Sequence, residues 1–241
     1  MEFFNGNPQR KASLLTNRLA GRLLVLLARN GLEILCRIDN EELEKIPDRG
    51  PLIAYFNHLG DIEVPLIFTQ LMPRPVTGFA KIETWDGWFL RYVFDLWGAI
   101  PLRRGEADMV AMRKGLEALQ KGFILGIAPE GTRSKTKSLL RGQPGIVTLA
   151  LRSGVPLVPV AHWGGERFLP NLKQWKRTDF HIRVGEPFRL DAGGERVTRE
   201  MRQQMVDEMM YRLAALIPER YRGAYADLEN AIGKYSKEMA F

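Results

Sequence analysis

The stretch Tyr55–Pro65 reads YFNHLGDIEVP and places two carboxylates, Asp61 and Glu63, three and five positions after His58. An imidazole whose second ring nitrogen is held by a carboxylate is a stronger and better oriented base. That would suit removal of a proton from an attacking hydroxyl. The same residues also read as an Asn-His-Leu-Gly turn followed by an acidic first helical turn, where carboxylates oppose the helix dipole. Taken alone, the segment leaves both readings open. The other two histidines, His162 and His181, read as packed or solvated, and His181 falls inside a predicted strand.

Two further segments carry groups suited to an anionic ligand. In APEGTRSKTKSLLRGQPG, residues 128–145, a glycine lets the backbone approach a ligand and Arg133 can fork onto a phosphate. Lys135, Lys137 and Arg141 follow closely, a pattern equally met in a solvated basic loop. GAIPLRRGEAD puts Arg103 and Arg104 directly after a predicted strand. No Gly-x-Ser-x-Gly elbow is present, and Cys36 lies in the N-terminal helical stretch, so no nucleophile for a covalent intermediate is evident. Three scattered histidines form no metal-ligand pattern, and no metal or cofactor is expected.

Short apolar runs at 51–56, 76–80, 98–102, 123–128, 155–161 and 180–185 are predicted strands. Helices are predicted near 63–72, 84–96, 106–121, 143–153 and 199–216. This alternation predicts an α/β fold with a mostly parallel central sheet flanked by helices. In such sheets, sites gather at the loops leaving the carboxyl ends of the strands. His58, Arg104 and Glu130 each follow a predicted strand, the first reason to group them.

Residues 1–40 are expected to form an N-terminal amphipathic helical segment and residues 41–241 the main domain. Over 11–37, Lys11, Arg18, Arg22 and Arg29 share one side of a helix, with Leu19, Leu23, Leu27 and Ile34 opposite. The stretch reads either as a helix packed on the domain or as an interfacial helix on anionic lipid. The chain of 241 residues is 45% apolar, enough for a large core, and carries 35 basic against 28 acidic residues, a net +7. That excess favours anionic partners: a membrane surface, a phosphorylated substrate or nucleic acid. None of the usual nucleic-acid motifs is visible. No run approaches the roughly 20 apolar residues of a spanning helix, so any membrane contact is expected to be peripheral. No signal peptide is expected. A single cysteine fits a reducing compartment.

Taken together, NHLGDIE, GAIPLRRG, PEGTRS and VPLVPV resemble, in order and approximate spacing, the four blocks of the glycerolipid acyltransferase family. The likeness runs from about residue 50 to 190 and is strongest to the bacterial 1-acylglycerol-3-phosphate type. It implies that His58 is the catalytic base. The family's aspartate falls on Glu63, a departure that keeps the carboxylate, and Asp61 is a second candidate. Gly60 stands where serine is frequent, and Ala128 where phenylalanine is usual. The resemblance further implies acceptor binding by Arg104, Glu130, Gly131, Thr132 and Arg133, and Asn57, Lys81 and Arg103 are expected to bind substrate. It implies acyl-CoA or acyl-carrier protein as donor and lysophosphatidic acid as acceptor, at the cytoplasmic face of a membrane. The alternatives are another lysophospholipid or a glycolipid acceptor and, more remotely, a basic nucleic-acid-binding protein.

Overall fold

The computed structural model describes residues 19–60, 62–105, 108–231 and 233–239, excepting the side chains of residues 19–24, 89 and 96. In chain order the described elements are α1 (Leu19–Leu35), β1 (Cys36–Asp39), β2 (Leu52–Tyr55), α2 (Glu63–Gln70), β3 (Val76–Lys81) and α3 (Trp88–Leu96). Next come β4 (Ile100–Leu102), α4 (Met109–Gln120), β5 (Ile124–Ile127), α5 (Gly145–Ser153), β6 (Leu157–Trp163) and α6 (Phe168–Lys173). The chain closes with β7 (Thr178–Val184), β8 (Phe188–Leu190), α7 (Arg199–Ala215) and β9 (Ser236–Glu238).

The central strands are apolar at successive positions because both faces of the sheet are covered. All four residues of β2 and of β5 are buried. Alternation then divides the core. Ile53 and Tyr55 of β2, Leu125 and Ile127 of β5 and Leu157 of β6 meet α4, α5 and α7 on one face. Leu52, Ala54, Ile124, Val158 and Val160 meet α2 on the other, where Leu32 of α1 also packs. Each such Leu or Ile, fully buried, contributes about 1.5–3 kcal/mol relative to exposure. Tyr55 is wholly buried, and its hydroxyl donates to the Met209 carbonyl of α7 at 3.1 Å.

The strand order is β1-β7-β6-β2-β5-β3-β4, with β8 beside β6 and β9 beside β8. Strands β2 to β6 all run parallel, so their carboxyl ends share one edge of the sheet. Strand β7 is antiparallel to β6, and β1 is parallel to β7. The amino ends of β7 and β1 therefore lie at that same edge.

The six predicted strands and five predicted helices are all present, with ends shifted by a few residues. Two expectations change. The N-terminal helix predicted to residue 37 stops at Leu35, and Cys36–Asp39 forms a strand pairing with Thr178–His181. The sheet thus begins before the expected boundary at residue 40. A helical pattern carried across CRID cannot show this, because the pairing partner lies some 140 residues on. Lys11 and Arg18 lie outside the described residues.

Candidate active site

Strand β2 delivers the chain into Phe56-Asn57-His58 at the carboxyl edge. Both backbone polar groups of His58 are taken by the loop that leaves β5. The His58 N–H donates to Oε1 of Glu130 at 2.8 Å, and the Ser134 N–H donates to the His58 carbonyl at 2.9 Å. Lys137 Nζ adds a bond to the Leu59 carbonyl at 2.7 Å. The other Glu130 oxygen accepts from the Leu140 N–H at 2.8 Å, so one carboxylate ties the two loops together. The far end of this basic loop is held by the C-terminal region. The Leu139 N–H donates to the Tyr221 carbonyl, and the Gly142 N–H donates to the Tyr225 hydroxyl.

A second clamp comes from β6. The Asn57 amide donates to the His162 carbonyl at 2.8 Å and accepts from the His162 N–H at 3.0 Å. The ring Nε2 of His162 lies 2.6 Å from the Asn57 carbonyl. A carbonyl only accepts, so Nε2 carries the hydrogen. Burial pushes the His162 pKa down to about 3, with the Asn57 bond opposing and His58 adding to the drop. The ring therefore stays neutral, stacked on Phe180 with centroids 5.5 Å apart. The packed reading of His162 matches its burial, but it also holds the residue next to His58.

Two of the residues expected to bind substrate are held inside the fold. Asn57 is fully buried with its amide engaged by His162, and Glu130 is 3% exposed with both oxygens engaged by backbone donors. Both hold the turn that carries His58. Burial is the main cause that raises Glu130 to a pKa of about 7, against its two backbone bonds, with the charge of Glu63 raising it further. Glu63 opens α2, is wholly buried, and packs on Gly60, where an added Cβ would sit 3.2 Å from Oε1. The frequent serine at that position would crowd the longer glutamate stem. Asp61 lies outside the described residues.

Three of the remaining expected residues line an apolar cavity of about 100 Å³. His58, Arg104 and Gly131 lie on its wall, and Phe68, Phe79, Phe94 and Trp97 supply much of its lining. Among the described residues, His58 and Arg104 are its only polar side chains. Gly78 and Gly126 face each other across β3 and β5 and make room for it. A Cβ on Gly126 would meet the Phe68 ring at 3.0 Å. Ala128 also lines the cavity, so the smaller residue there widens it.

Arg104 is exposed at the cavity mouth. Partial desolvation lowers its pKa, the Arg133 charge lowers it further, and Glu83 opposes both. That coupling makes Arg104 and Arg133 electrostatic neighbours. Lys81 ends β3 in register with Leu102 of β4, next to Arg103. The Arg103 N–H donates to Asp108 at 3.0 Å, and its side chain is exposed, as are Thr132 and Arg133. The structure thus gathers His58, Arg104, Arg133, Gly131 and Lys81 at one edge. His162 and Lys137 join them as residues that hold the His58 turn. The position of His162 at the carboxyl end of a predicted strand was the signal available for it.

A family model described as Acyltransferase matches residues 37–163, more than half of the chain. The 1-acyl-sn-glycerol-3-phosphate acyltransferase of Bacillus subtilis is 24% identical over 80% of this chain and 92% of its own. The lyso-ornithine lipid O-acyltransferase of Pseudomonas aeruginosa is 31% identical over 47% of this chain and 43% of its own. Among solved structures, the 1-acyl-sn-glycerophosphate acyltransferase PlsC of Thermotoga maritima superposes with a TM-score of 0.60 at 20% identity, covering 86% of this chain and 81% of that one. That likeness bears on the fold, the mostly parallel sheet flanked by helices.

Proposed function

The chain belongs to the acyltransferase family, and we propose that it transfers a fatty acyl group from a thioester donor to the sn-2 hydroxyl of 1-acylglycerol 3-phosphate, giving phosphatidic acid. The observation that carries this reading is the meeting of one imidazole and one arginine at the mouth of an otherwise apolar cavity. The donor's acyl chain lies in the cavity and brings its thioester carbonyl to His58. Apolar lining suits a hydrocarbon chain, at about 0.8 kcal/mol per buried CH₂.

Arg104 and Arg133, with Lys81 beside them, hold the acceptor phosphate. A guanidinium fork fits phosphate oxygens and fixes orientation as well as charge. The acceptor hydroxyl then faces His58, whose imidazole accepts its proton as oxygen attacks the carbonyl. The C–O bond forms, the C–S bond breaks, and the imidazolium returns the proton to the departing thiol. Glu63, or Asp61 in its place, stabilises the imidazolium. The donor is acyl-CoA or acyl-carrier protein, and the setting is the cytoplasmic face of a membrane, met peripherally. Among the described residues no helix is long and apolar enough to cross one.

A product assay by mass spectrometry tests this reading. Lysophosphatidic acid, lyso-ornithine lipid and a lysophospholipid with a larger headgroup are each offered with both donors. The expected product is phosphatidic acid. Exclusive acylation of the phosphate-free acceptor would overturn the role given to the arginines.

A further inference from the structure

Trp175 combines two unfavourable features. It is 96% exposed, and its φ of 56° lies in the left-handed region that bulky residues avoid. A fully solvated indole in a strained turn invites the question of what it meets. The turn is internally braced: the Asn171 carbonyl accepts from the N–H groups of Gln174 and Lys176, and the Asn171 amide donates to Thr178 at 3.1 Å. Trp175 is therefore held outward by a fixed scaffold. Leu169 and Leu172 of α6, 57% and 40% exposed, precede it. Between 167 and 177 the sequence carries Arg167, Lys173, Lys176 and Arg177 and no acid.

Topology places this segment. It connects the carboxyl end of β6 to the amino end of the antiparallel β7, so it lies at the sheet edge that holds His58. Arg177 donates to the carbonyls of Glu33 and Cys36, both at 2.6 Å, fastening the segment to the end of α1. There α1 exposes Ile34 and Leu35, 71% and 37% accessible, with Leu27 exposed two turns earlier. Apolar groups from two elements thus emerge at one edge with cations among them.

We propose that Leu169, Leu172 and Trp175 form a wedge that enters an anionic bilayer surface beside the end of α1, with Arg167, Lys173 and Lys176 on the headgroups. The proposal deepens the function given above and rests on its lipid acceptor, since the wedge sets the catalytic edge against the acceptor's own membrane. An indole suits the headgroup level, where its apolar body and N–H are both satisfied, and the cations supply attraction to anionic lipid. A rigid turn loses little conformational freedom on docking.

The test uses the full chain and sedimentation with vesicles of phosphatidylcholine and phosphatidylglycerol at 3:1, without substrates. Trp175→Ser is expected to lower partitioning about tenfold, as loss of one buried aromatic side chain implies. Leu169→Ser with Leu172→Ser is expected to do the same. Turnover of short-chain soluble donor and acceptor stays at the parental level in each variant. Brominated lipid quenches the parent's tryptophan emission more than that of Trp175→Ser. Parental partitioning with equal quenching in the variants would overturn the proposal. So would an unchanged vesicle affinity with turnover lost only on acyl-carrier protein, which would make the patch a protein site. Because binding is read without chemistry, a chain that inserts Trp175 yet acylates no lysolipid would sink the proposed function and leave the wedge standing.

Discussion

Two regions share the carboxyl edge of the sheet and are built in opposite ways. Around His58, buried polar groups are tied to one another: Glu130, Ser134, Asn57 and His162 close a set of bonds on two consecutive residues of one turn. Around α6 and the end of α1, leucines, an isoleucine and a tryptophan stand in solvent among basic side chains. A catalytic imidazole needs fixed geometry, and buried, satisfied polar networks supply it. A surface for lipid needs unsatisfied apolar area, which a matched network would remove. The difference separates positioning from docking, and mutations on each side should report on different measurements.

The largest expected effect lies on the positioned side. His58→Ala should lower turnover by at least about 10²–10⁴-fold, the usual loss for a general base, with the melting temperature nearly kept. Near-parental turnover would end the assignment. Glu63→Gln should damage turnover more than Asp61→Asn, because Glu63 opens α2 within the buried site. The reverse order would pass the role to Asp61.

Next comes the cationic mouth. Arg104→Ala should raise KM for a phosphorylated acceptor about 10–100-fold, as the loss of one or two charge-assisted bonds implies, with little change in KM for the donor. Arg104→Lys should rescue only in part, because a point charge lacks the fork. Steady-state kinetics with each substrate varied in turn decides the matter. An unchanged acceptor KM would move the phosphate elsewhere.

The network itself predicts a pH signature. Glu130 has a folded pKa of about 7 against 4.5 for the free side chain. Between these values the native state holds a proton that the unfolded chain has released, so stability falls as pH rises through that window. At most a few kcal/mol are involved. Glu130→Gln offers one acceptor to two backbone donors and should be less stable throughout. Its stability should also lack this downward slope, so the gap to the parent narrows from pH 5 to pH 8. Parallel denaturation curves across that range would show Glu130 ionised at its ordinary value.

The contrast also explains what the sequence made legible. Apolar runs bounded by turns located the six strands, and the rule of strand ends grouped His58, Arg104 and Glu130 correctly at one edge. Local periodicity carries that much. It does not carry partners: Asn57 meets His162 across 105 positions, and nothing near NHLG announces that its amide is engaged inward. The inward bonds of Asn57 and Glu130 are of this kind, set by partners far along the chain. Strands β1, β8 and β9, with the sequences CRID, FRL and SKE, carry charged residues and no apolar run. The amphipathic pattern of α1 was legible, with its packed and interfacial readings both open, but α6 was not, because FLPNLK carries a proline and spans under two turns.

The smallest effect is expected on the docking side, in α1. Arg29 is tied to Glu33 at 2.9 Å, and Glu33 lies within 3.5 Å of the Gln70 amide, so this arginine is turned toward α2. Its neighbour on the opposite face, Leu27, is exposed. Among the described residues of the apolar stripe of α1, Leu27 and Ile34 are exposed, where an interfacial helix would need them. Neutralising Arg18, Arg22 and Arg29 together should weaken binding to anionic vesicles by roughly 1 kcal/mol for each charge near the surface. Because Arg29 is already paired, the observed loss should fall nearer two charges than three. Binding to neutral vesicles should hardly change, and raising the salt should imitate the triple variant, since exposed charges are screened within about 8 Å at physiological ionic strength. If the triple variant sediments with anionic vesicles like the parent while Trp175→Ser does not, the leucines and tryptophan carry the contact and these three arginines do not contribute to it.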